Sequence, residues 1–145
     1  MGRLWLYVLI NLMFTEMLVV KTITTPPDPT QVVADRILTI YAATMSFALA
    51  NPAFTGSPPA SAFAALDTAP DTTISATIAA GQVVFVYALP GPNAPGAAIN
   101  LQRMTKMNAY AGLVAGGHIQ APQALGTIAA PGIPNGAAAI WGLAQ

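Results

Sequence analysis

The stretch QVVADRILTIYAATMSFALA, residues 31–50, decides the fold of this chain. Its apolar residues recur at every third or fourth position, the spacing that lines one side of an α-helix. Pro29 suits the first turn of such a helix, and either Asp28 or Thr30 can cap it. A second membrane span is the rival interpretation, but the stretch contains an adjacent acidic and basic pair and its apolar stripe is one-sided. We therefore predict an amphipathic helix against which the globular part packs.

Toward the N terminus lies a second apolar segment, LWLYVLINLMFTEMLVV, residues 4–20. Its seventeen residues are mostly large and apolar, which is the short end of what a membrane-spanning helix needs. No small-x-small cleavage site follows the segment, so an uncleaved anchor is favoured over a cleaved signal peptide. More positive charge precedes the segment than follows it, which favours an N terminus in the cytoplasm. The side chains predicted to contact lipid are Leu4, Trp5, Leu6, Tyr7, Leu9, Ile10, Leu12, Phe14 and Leu18.

One ionisable residue interrupts this segment. An ionised Glu16 facing lipid would cost about 3 kcal/mol by insertion scales, so it needs a partner or a way to the interface. It could contact a helix of another protein within the membrane. The alternative is that Glu16 reaches the nearby interface or pairs with Lys21, just over one helical turn away.

Prolines separate the predicted anchor from the globular part. Three closely spaced prolines disfavour helix at the residues before them, so residues 22–29 should form a stiff exit from the membrane. The predicted organisation is an anchor over residues 1–21, a proline-rich linker over 22–29 and one α+β domain over 30–145.

Strand signals follow the predicted helix. The run QVVFVYAL, residues 82–89, is rich in β-branched and aromatic residues and is bounded by glycine and proline turns. Further short strands are predicted over residues 72–78, 97–104, 112–119, 126–129 and 138–143, while 108–113 could equally be helical. The predicted fold class is α+β, with one long amphipathic helix packed on a small antiparallel β-sheet.

Charge is scarce throughout the chain. Only five Lys and Arg and five Asp and Glu occur among 145 residues, a charged fraction of 7% where about 25% is ordinary. With a net charge of zero there is no basic patch to neutralise phosphates, so nucleic acid is excluded as a partner. The absence of cysteine removes disulfides, thiolate metal sites and a cysteine nucleophile.

No catalytic, cofactor or metal site is predicted. His118 is the only histidine and lies in a glycine-rich stretch, where a histidine is more often structural or solvated than catalytic. The chain contains no GxSxG, HExxH or GxxxxGK[ST] motif. We therefore predict a protein that is not an enzyme and needs no cofactor, with a weakly charged surface suited to packing against other proteins.

Three further residues join Glu16 as candidates for partner contacts. Arg103 and Lys106 would be neighbours if residues 101–110 were helical, and could then bind an acidic partner or lipid headgroups, although two charges are more often a solvated face. Trp141 could anchor an interface, where tryptophan is enriched, or it could belong to the core.

Several segments together carry a resemblance to a known family. The start MGRLWLYVLI, the proline-rich exit, the helix over residues 31–50, the strand over 82–87 and the ending PGIPNGAAAIWGLAQ resemble the PilM proteins of conjugative plasmids, which belong to the type IVb thin-pilus system. The resemblance covers essentially the whole chain. It implies a single-pass protein of the bacterial inner membrane with its C-terminal domain in the periplasm. It also implies a role in pilin transport or the basal body, with pilin, inner-membrane platform or basal-body proteins and membrane lipid as partners.

Three alternatives stay open on the sequence alone. A minor pilin also begins with a hydrophobic helix that leads into an α+β head, but only Met17 to Val20 follow Glu16 as apolar chain, too little for a filament helix. A small virion or envelope structural protein would share the high alanine, glycine and proline content. A cryptic periplasmic enzyme would have to use His118.

Overall fold

The computed structural model describes residues 26–107, 109–122 and 125–144. The predicted membrane anchor, its lipid-facing residues and Glu16 lie outside the described residues. The described part contains helices α1 (Pro29–Ala50) and α2 (Ala94–Met104), a 3-10 turn (Ala60–Phe63), and strands β1 (Ile74–Ala79), β2 (Val83–Ala88), β3 (Tyr110–Ala115), β4 (His118–Gln120), β5 (Thr127–Ala129) and β6 (Ala138–Leu143).

The six strands form one sheet in the order β1-β2-β6-β3-β4-β5. Every neighbouring pair is antiparallel. Strand β6, the last in sequence, lies between β2 and β3, so that Phe85 and Tyr110 both stand opposite Trp141. Both helices pack on one face of this sheet, which confirms the predicted α+β class.

Helix α1 begins and ends as its sequence predicts. The Asp28 carboxylate accepts a hydrogen bond from the Thr30 backbone N–H at 2.9 Å, and Pro29 occupies the first turn, where its missing N–H costs nothing. At the other end the Asn51 side-chain amide donates to the Phe47 carbonyl at 2.9 Å. Pro29, which the sequence places at the end of the predicted linker, is therefore the first residue of α1.

The buried stripe of α1 packs on the sheet. Its buried residues are Ala34, Ile37, Ile40, Thr44 and Ala48, the spacing that the sequence shows. Burying one isoleucine contributes about 1.5 to 3 kcal/mol, so this stripe holds the helix to the strands. Among the described residues α1 is the one helix long and apolar enough to cross a membrane, and its packing here is that of a core helix.

Helix α2 corrects the strand predicted over residues 97–104. Pro95 lies in its first turn, where proline is favoured, and Ala97, Ala98 and Leu101 form a buried stripe of helical spacing. The sequence signal was weak because alanine is small enough for either structure. The helical alternative over 108–113 is also wrong, since β3 begins at Tyr110. The strand predicted over 112–119 is divided between β3 and β4 by a Gly116-Gly117 turn.

The first strand is fastened to α1 by a polar contact. The Arg36 guanidinium donates to the Asp71 carboxylate at 2.7 Å. The same carboxylate accepts hydrogen bonds from the Thr73 N–H at 2.7 Å and from the Ile74 N–H at 3.0 Å. One side chain thus shapes the entry into β1 and joins it to the helix.

Candidate functional site

One face of the sheet carries the two helices, and the opposite face carries none. Side chains that point to this second side are Thr77, Val83, Phe85, Tyr87, Tyr110, Trp141 and Leu143, and we call them the open face. None of these side chains is charged. An exposed sheet face normally carries polar and charged residues that interact with water. This face is apolar and aromatic instead, which is typical of an interaction surface.

The alternation of residues along β2 and β6 builds the open face. Val84 and Val86 point toward the helices, so Phe85 and Tyr87, which alternate with them along the strand, point the other way. On β6, Ile140 is in the covered core and Trp141 is on the open face. The pleat of a strand makes this division unavoidable.

Trp141 lies near the centre of the open face and is partly exposed. Its ring meets the Tyr110 ring edge-to-face, with 5.2 Å between centroids and 85° between planes. Phe85 stands opposite Trp141 on the other neighbouring strand. Both roles stated for Trp141 stay predictions, because the side chain packs against the buried cluster that contains Phe85 and Val114 and is also partly exposed. The exposed remainder of the side chain is available to a partner.

A loop over residues 130–137 closes part of the open face. Ile133 from this loop is buried and packs into the same cluster as Phe85 and Val114. Between the loop and the strands lies a groove of about 260 Å³, lined by Thr77, Phe85, Tyr87, Ile133 and their neighbours. The open face therefore has a fixed wall at one side and an aromatic floor.

The predicted contact residues Arg103 and Lys106 lie elsewhere. Helix α2 ends at Met104, and Lys106 has a left-handed backbone with φ of 53°. The predicted helical i and i+3 relation between the two cations therefore does not apply. Both side chains are exposed, and they lie on the helical side of the sheet. The structure does not bring them together with Trp141.

His118 lies at the start of β4 with its side chain exposed. Its Nδ1 atom is 2.9 Å from the carbonyl oxygen of Gly116, a contact within the β3–β4 turn. In residues 26–107, 109–122 and 125–144, no three His, Cys, Asp or Glu side chains come close enough together to hold a metal ion.

The strongest electrostatic effect among the described residues falls on Asp71. The Thr73 hydroxyl, the Arg36 guanidinium and the Thr73 N–H hold the pKa of this carboxyl well below its usual range. These partners all belong to the entry into β1 and to α1. The effect is therefore structural, and Asp71 lies outside the open face.

Sequence reasoning named one residue of the open face and missed the others. The signal was present in the run over residues 82–89, because alternation alone places Phe85 and Tyr87 on one side of the strand. Which side the helices cover could not be read from the pattern, since β2 is rich in apolar residues on both sides.

The chain is similar to a solved structure and to a protein family. A crystal structure described as that of a pilM protein from Pseudomonas aeruginosa 2192 is similar, with 23% sequence identity, a TM-score of 0.48, and coverage of 83% of this chain and 100% of that chain. Among curated proteins, none matches the chain significantly. The family model for PilM matches residues 8–141. Because this match spans nearly the whole sequence, the chain belongs to the PilM family, a family of pilus-related proteins.

Proposed function

We propose that this protein is an inner-membrane accessory or assembly component of a conjugative type IVb thin pilus. It acts in pilin transport or in the basal body through protein–protein contacts, and it is not an enzyme. Residues 4–20 hold it in the membrane, and the α+β domain contacts other pilus components from the periplasm.

The observation that carries this proposal is the open face. Interfaces are depleted of charge at their centres and enriched in aromatic residues, and the open face combines Phe85, Tyr87, Tyr110 and Trp141 without a charged neighbour on the same face. The few residues that dominate binding energy are most often tryptophan, tyrosine and arginine. Trp141, fixed against Tyr110 and partly exposed, fits that role.

The membrane part of the proposal rests on the sequence of residues 4–20 and on the family. The PilM match begins at residue 8, so most of the apolar segment belongs to the region shared with the family. A domain tethered at one end to a bilayer meets partners in the same membrane at a high effective concentration. A surface of modest area is then sufficient for a functional contact.

The test is photo-crosslinking from the open face in cells that assemble the pilus. A photoreactive phenylalanine analogue replaces Trp141 in one variant and Leu143 in a second, and Ala42 on the exposed side of α1 in the control. We expect adducts with another pilus component from positions 141 and 143 and none from position 42. Equal labelling from all three positions, or none from any, would count against the open face as the contact surface.

Cell fractionation separates the accessory role from that of a minor pilin. Surface filaments are sheared off, and the inner membrane is extracted at alkaline pH. We expect the full-length protein in the extracted inner membrane. Its appearance in the filaments, or the loss of its first twenty residues, would make it a pilin or an exported protein and would end the anchored-component proposal.

A further inference from the structure

Helix α2 and the turn after it present a second surface of different chemistry. Ile99 is 51% exposed and Met107 is 46% exposed, so both are among the large apolar side chains that reach the surface of the domain. Arg103 and Lys106 are exposed beside them in sequence. We call these four residues the α2 patch.

The backbone fixes the α2 patch in place. After the helix ends, the Lys106 N–H donates to the Arg103 carbonyl at 3.0 Å and the Met107 N–H donates to the Gln102 carbonyl at 2.8 Å. The Gln102 side chain donates to the carbonyls of Ala111 and Gln120 at 3.0 and 3.1 Å. These bonds attach the helix and its turn to β3 and β4, so the patch is a rigid feature of the domain.

The charges of the domain are distributed unevenly. Beyond residue 25 the only cations are Arg36, Arg103 and Lys106. Arg36 is paired with Asp71 at 2.7 Å, and in the part of the chain that the structure describes this is the only ion pair. Both of the remaining positive charges therefore belong to the α2 patch.

Two carboxylates, one at the N-cap of α1 and one within it, are linked by hydrogen bonds to Thr30 and Gln31, the residues that contact α2. Asp28 accepts hydrogen bonds from the N–H and the hydroxyl of Thr30, at 2.9 and 2.8 Å. Asp35 accepts from the Gln31 side chain at 3.4 Å. Neither forms an ion pair with the α2 patch within the described residues, so the two cations are available to an external anion.

The α2 patch lies at the end of the domain that is closest in the chain to the predicted anchor. The Asn100 side chain donates to the Thr30 hydroxyl at 2.9 Å, and the Gln31 side chain donates to the Met104 sulfur at 3.2 Å. Gly96 packs directly on Thr30, where a Cβ would collide with the threonine side chain. Helix α2 is therefore packed against the first turn of α1.

The length of chain between anchor and domain limits their separation. Lys21 is eight residues before Pro29, and an extended chain covers at most about 3.3 to 3.6 Å per residue, or roughly 28 Å in total. The first turn of α1, and α2 beside it, can therefore lie no farther than this from the end of the predicted anchor. Cations and apolar side chains presented together at that distance match the chemistry of a bilayer interface.

We propose that the α2 patch rests on the anionic phospholipid headgroups of the same bilayer that holds residues 4–20. Arg103 and Lys106 bind headgroup phosphates, while Ile99 and Met107 enter the headgroup layer. The inference deepens the proposed function, because it depends on the anchor and sets the orientation of the domain. The open face is on the opposite side of the sheet, so this orientation points it away from the membrane.

The test uses the full-length chain reconstituted into vesicles. Because the chain has no cysteine, a single introduced cysteine can carry an environment-sensitive fluorophore without background. The labelled positions are Ile99→Cys and Met107→Cys on the patch, with Leu49→Cys at the far end of α1 and Leu143→Cys on the open face as controls. Nitroxide-headgroup lipid serves as the quencher. One set of vesicles is phosphatidylcholine alone, and a second contains roughly one part in three of phosphatidylglycerol.

We expect strong quenching at positions 99 and 107 in the anionic vesicles and weak quenching at positions 49 and 143. Each cation near an anionic surface changes the docking equilibrium by about fivefold. The double variant Arg103→Gln, Lys106→Gln should therefore lower the equilibrium constant for docking by a factor of about 25, as measured from the quenching at position 99. Arg36→Gln, which removes a charge outside the patch, should leave the quenching unchanged. Both changed residues of the double variant are exposed, and an unchanged melting temperature verifies its fold.

Several outcomes would overturn the proposal. Quenching at positions 99 and 107 no stronger than at 49 and 143 shows that the patch does not touch lipid. Equal quenching in neutral vesicles removes the role of anionic headgroups. If the fluorophore at position 99 reports a less polar environment only after pilus proteins are added, the patch binds an acidic protein partner instead. Release of the chain by alkaline extraction ends the anchor proposal and this one together, whereas retention without quenching ends this one alone.

Discussion

The two faces of the sheet are built from alternate residues of the same strands, and yet they differ in kind. The covered face carries aliphatic residues that are almost fully buried under the helices, namely Ile74, Ile78, Val84, Val86 and Ile140. The open face carries the partly exposed rings of Tyr87, Tyr110 and Trp141 around the buried ring of Phe85, and at its edge Leu143 is 41% exposed. Residues 140 and 141 are adjacent in sequence but belong to different environments.

This difference separates stability from recognition within one sheet. Branched aliphatic side chains fill the space between sheet and helices with few rotamers and no polar atoms. Aromatic side chains offer a large contact area at a low entropic cost, together with a polar tip that tolerates water. A mutation on the covered face should therefore change the fold, and the neighbouring mutation on the open face should change binding.

The largest expected effect comes from the covered face. Ile140→Ala removes a side chain that is 1% exposed, and truncations of this kind cost about 2 to 5 kcal/mol. We expect a clear loss in the free energy of unfolding, measured by urea denaturation. A loss no larger than that of Leu143→Ala, whose side chain on the open face is 41% exposed, would contradict the division between the two faces.

A smaller but specific effect is expected at Gly142. The Tyr41 ring of α1 lies directly over this glycine, so that a Cβ there would overlap the tyrosine hydroxyl and the ring atom that bears it. Gly142→Ala should cost about 1 to 3 kcal/mol through overpacking. Adding Tyr41→Phe should restore part of that loss, because the phenylalanine lacks the colliding hydroxyl. Thermal denaturation of the single and double variants measures this coupling, and strict additivity would show that Tyr41 does not cover Gly142.

Trp141→Ala sharpens the comparison from the other side. Removing its edge-to-face contact with Tyr110 should cost about 1 kcal/mol of stability, in addition to the loss of its buried area against the neighbouring cluster. Loss of a central interface tryptophan should weaken partner binding by 2 kcal/mol or more, about 30-fold. Co-purification with the crosslinked pilus component measures the second effect, with Leu49→Ala as the exposed control. If Trp141→Ala strongly lowers stability but its folded molecules bind the pilus component normally, Trp141 belongs to the core.

The smallest effect is expected at the ion pair between Arg36 of α1 and Asp71 at the entry into β1. In the folded protein the pKa of Asp71 lies below its ordinary value of 3.8. The ionised carboxylate therefore stabilises the fold above pH 3.8, and this contribution is lost as the pH falls through the lowered pKa. The side chain is 44% exposed, and solvent screening keeps the contribution small. Asp71→Asn should flatten the dependence of unfolding free energy on pH below about 4. An unchanged acid profile would show that the Arg36–Asp71 contact contributes nothing measurable.

The sequence predicts the parts of this fold whose signals are local. Helix α1 has a cap, a first-turn proline and a regular apolar stripe, and β2 is a long β-branched run between turns. Helix α2 was missed because the helix propensity of Ala97 and Ala98 was outweighed by the nearby glycines and prolines, whose spacing favours short strands and turns. In addition, Gly96 within the helix is explained only by its contact with Thr30, which is distant in sequence. The insertion of β6 between β2 and β3 is set by long-range pairing and leaves no local pattern.

The candidate site was predictable to a lesser extent than the fold. Trp141 was identified by residue type alone, and Tyr110 could not be joined to it without the pairing of β3 with β6. The open face exists because the helices cover only one side, and that choice depends on the packing of the whole domain. Arg103 and Lys106 were identified from a helical spacing that does not apply, although both lie on an exposed and basic part of the surface.

The central position of β6 determines when the sheet can be completed during synthesis. Strands β1 and β2 can pair as soon as both have been made, and β3 to β5 can form a meander of their own, but the two halves stay unjoined until residues 138–143 arrive. Until then the facing edges of β2 and β3 are unpaired and open to wrong partners. The arriving strand also delivers Trp141 and Leu143, so a chain interrupted before β6 has neither a closed sheet nor a complete open face.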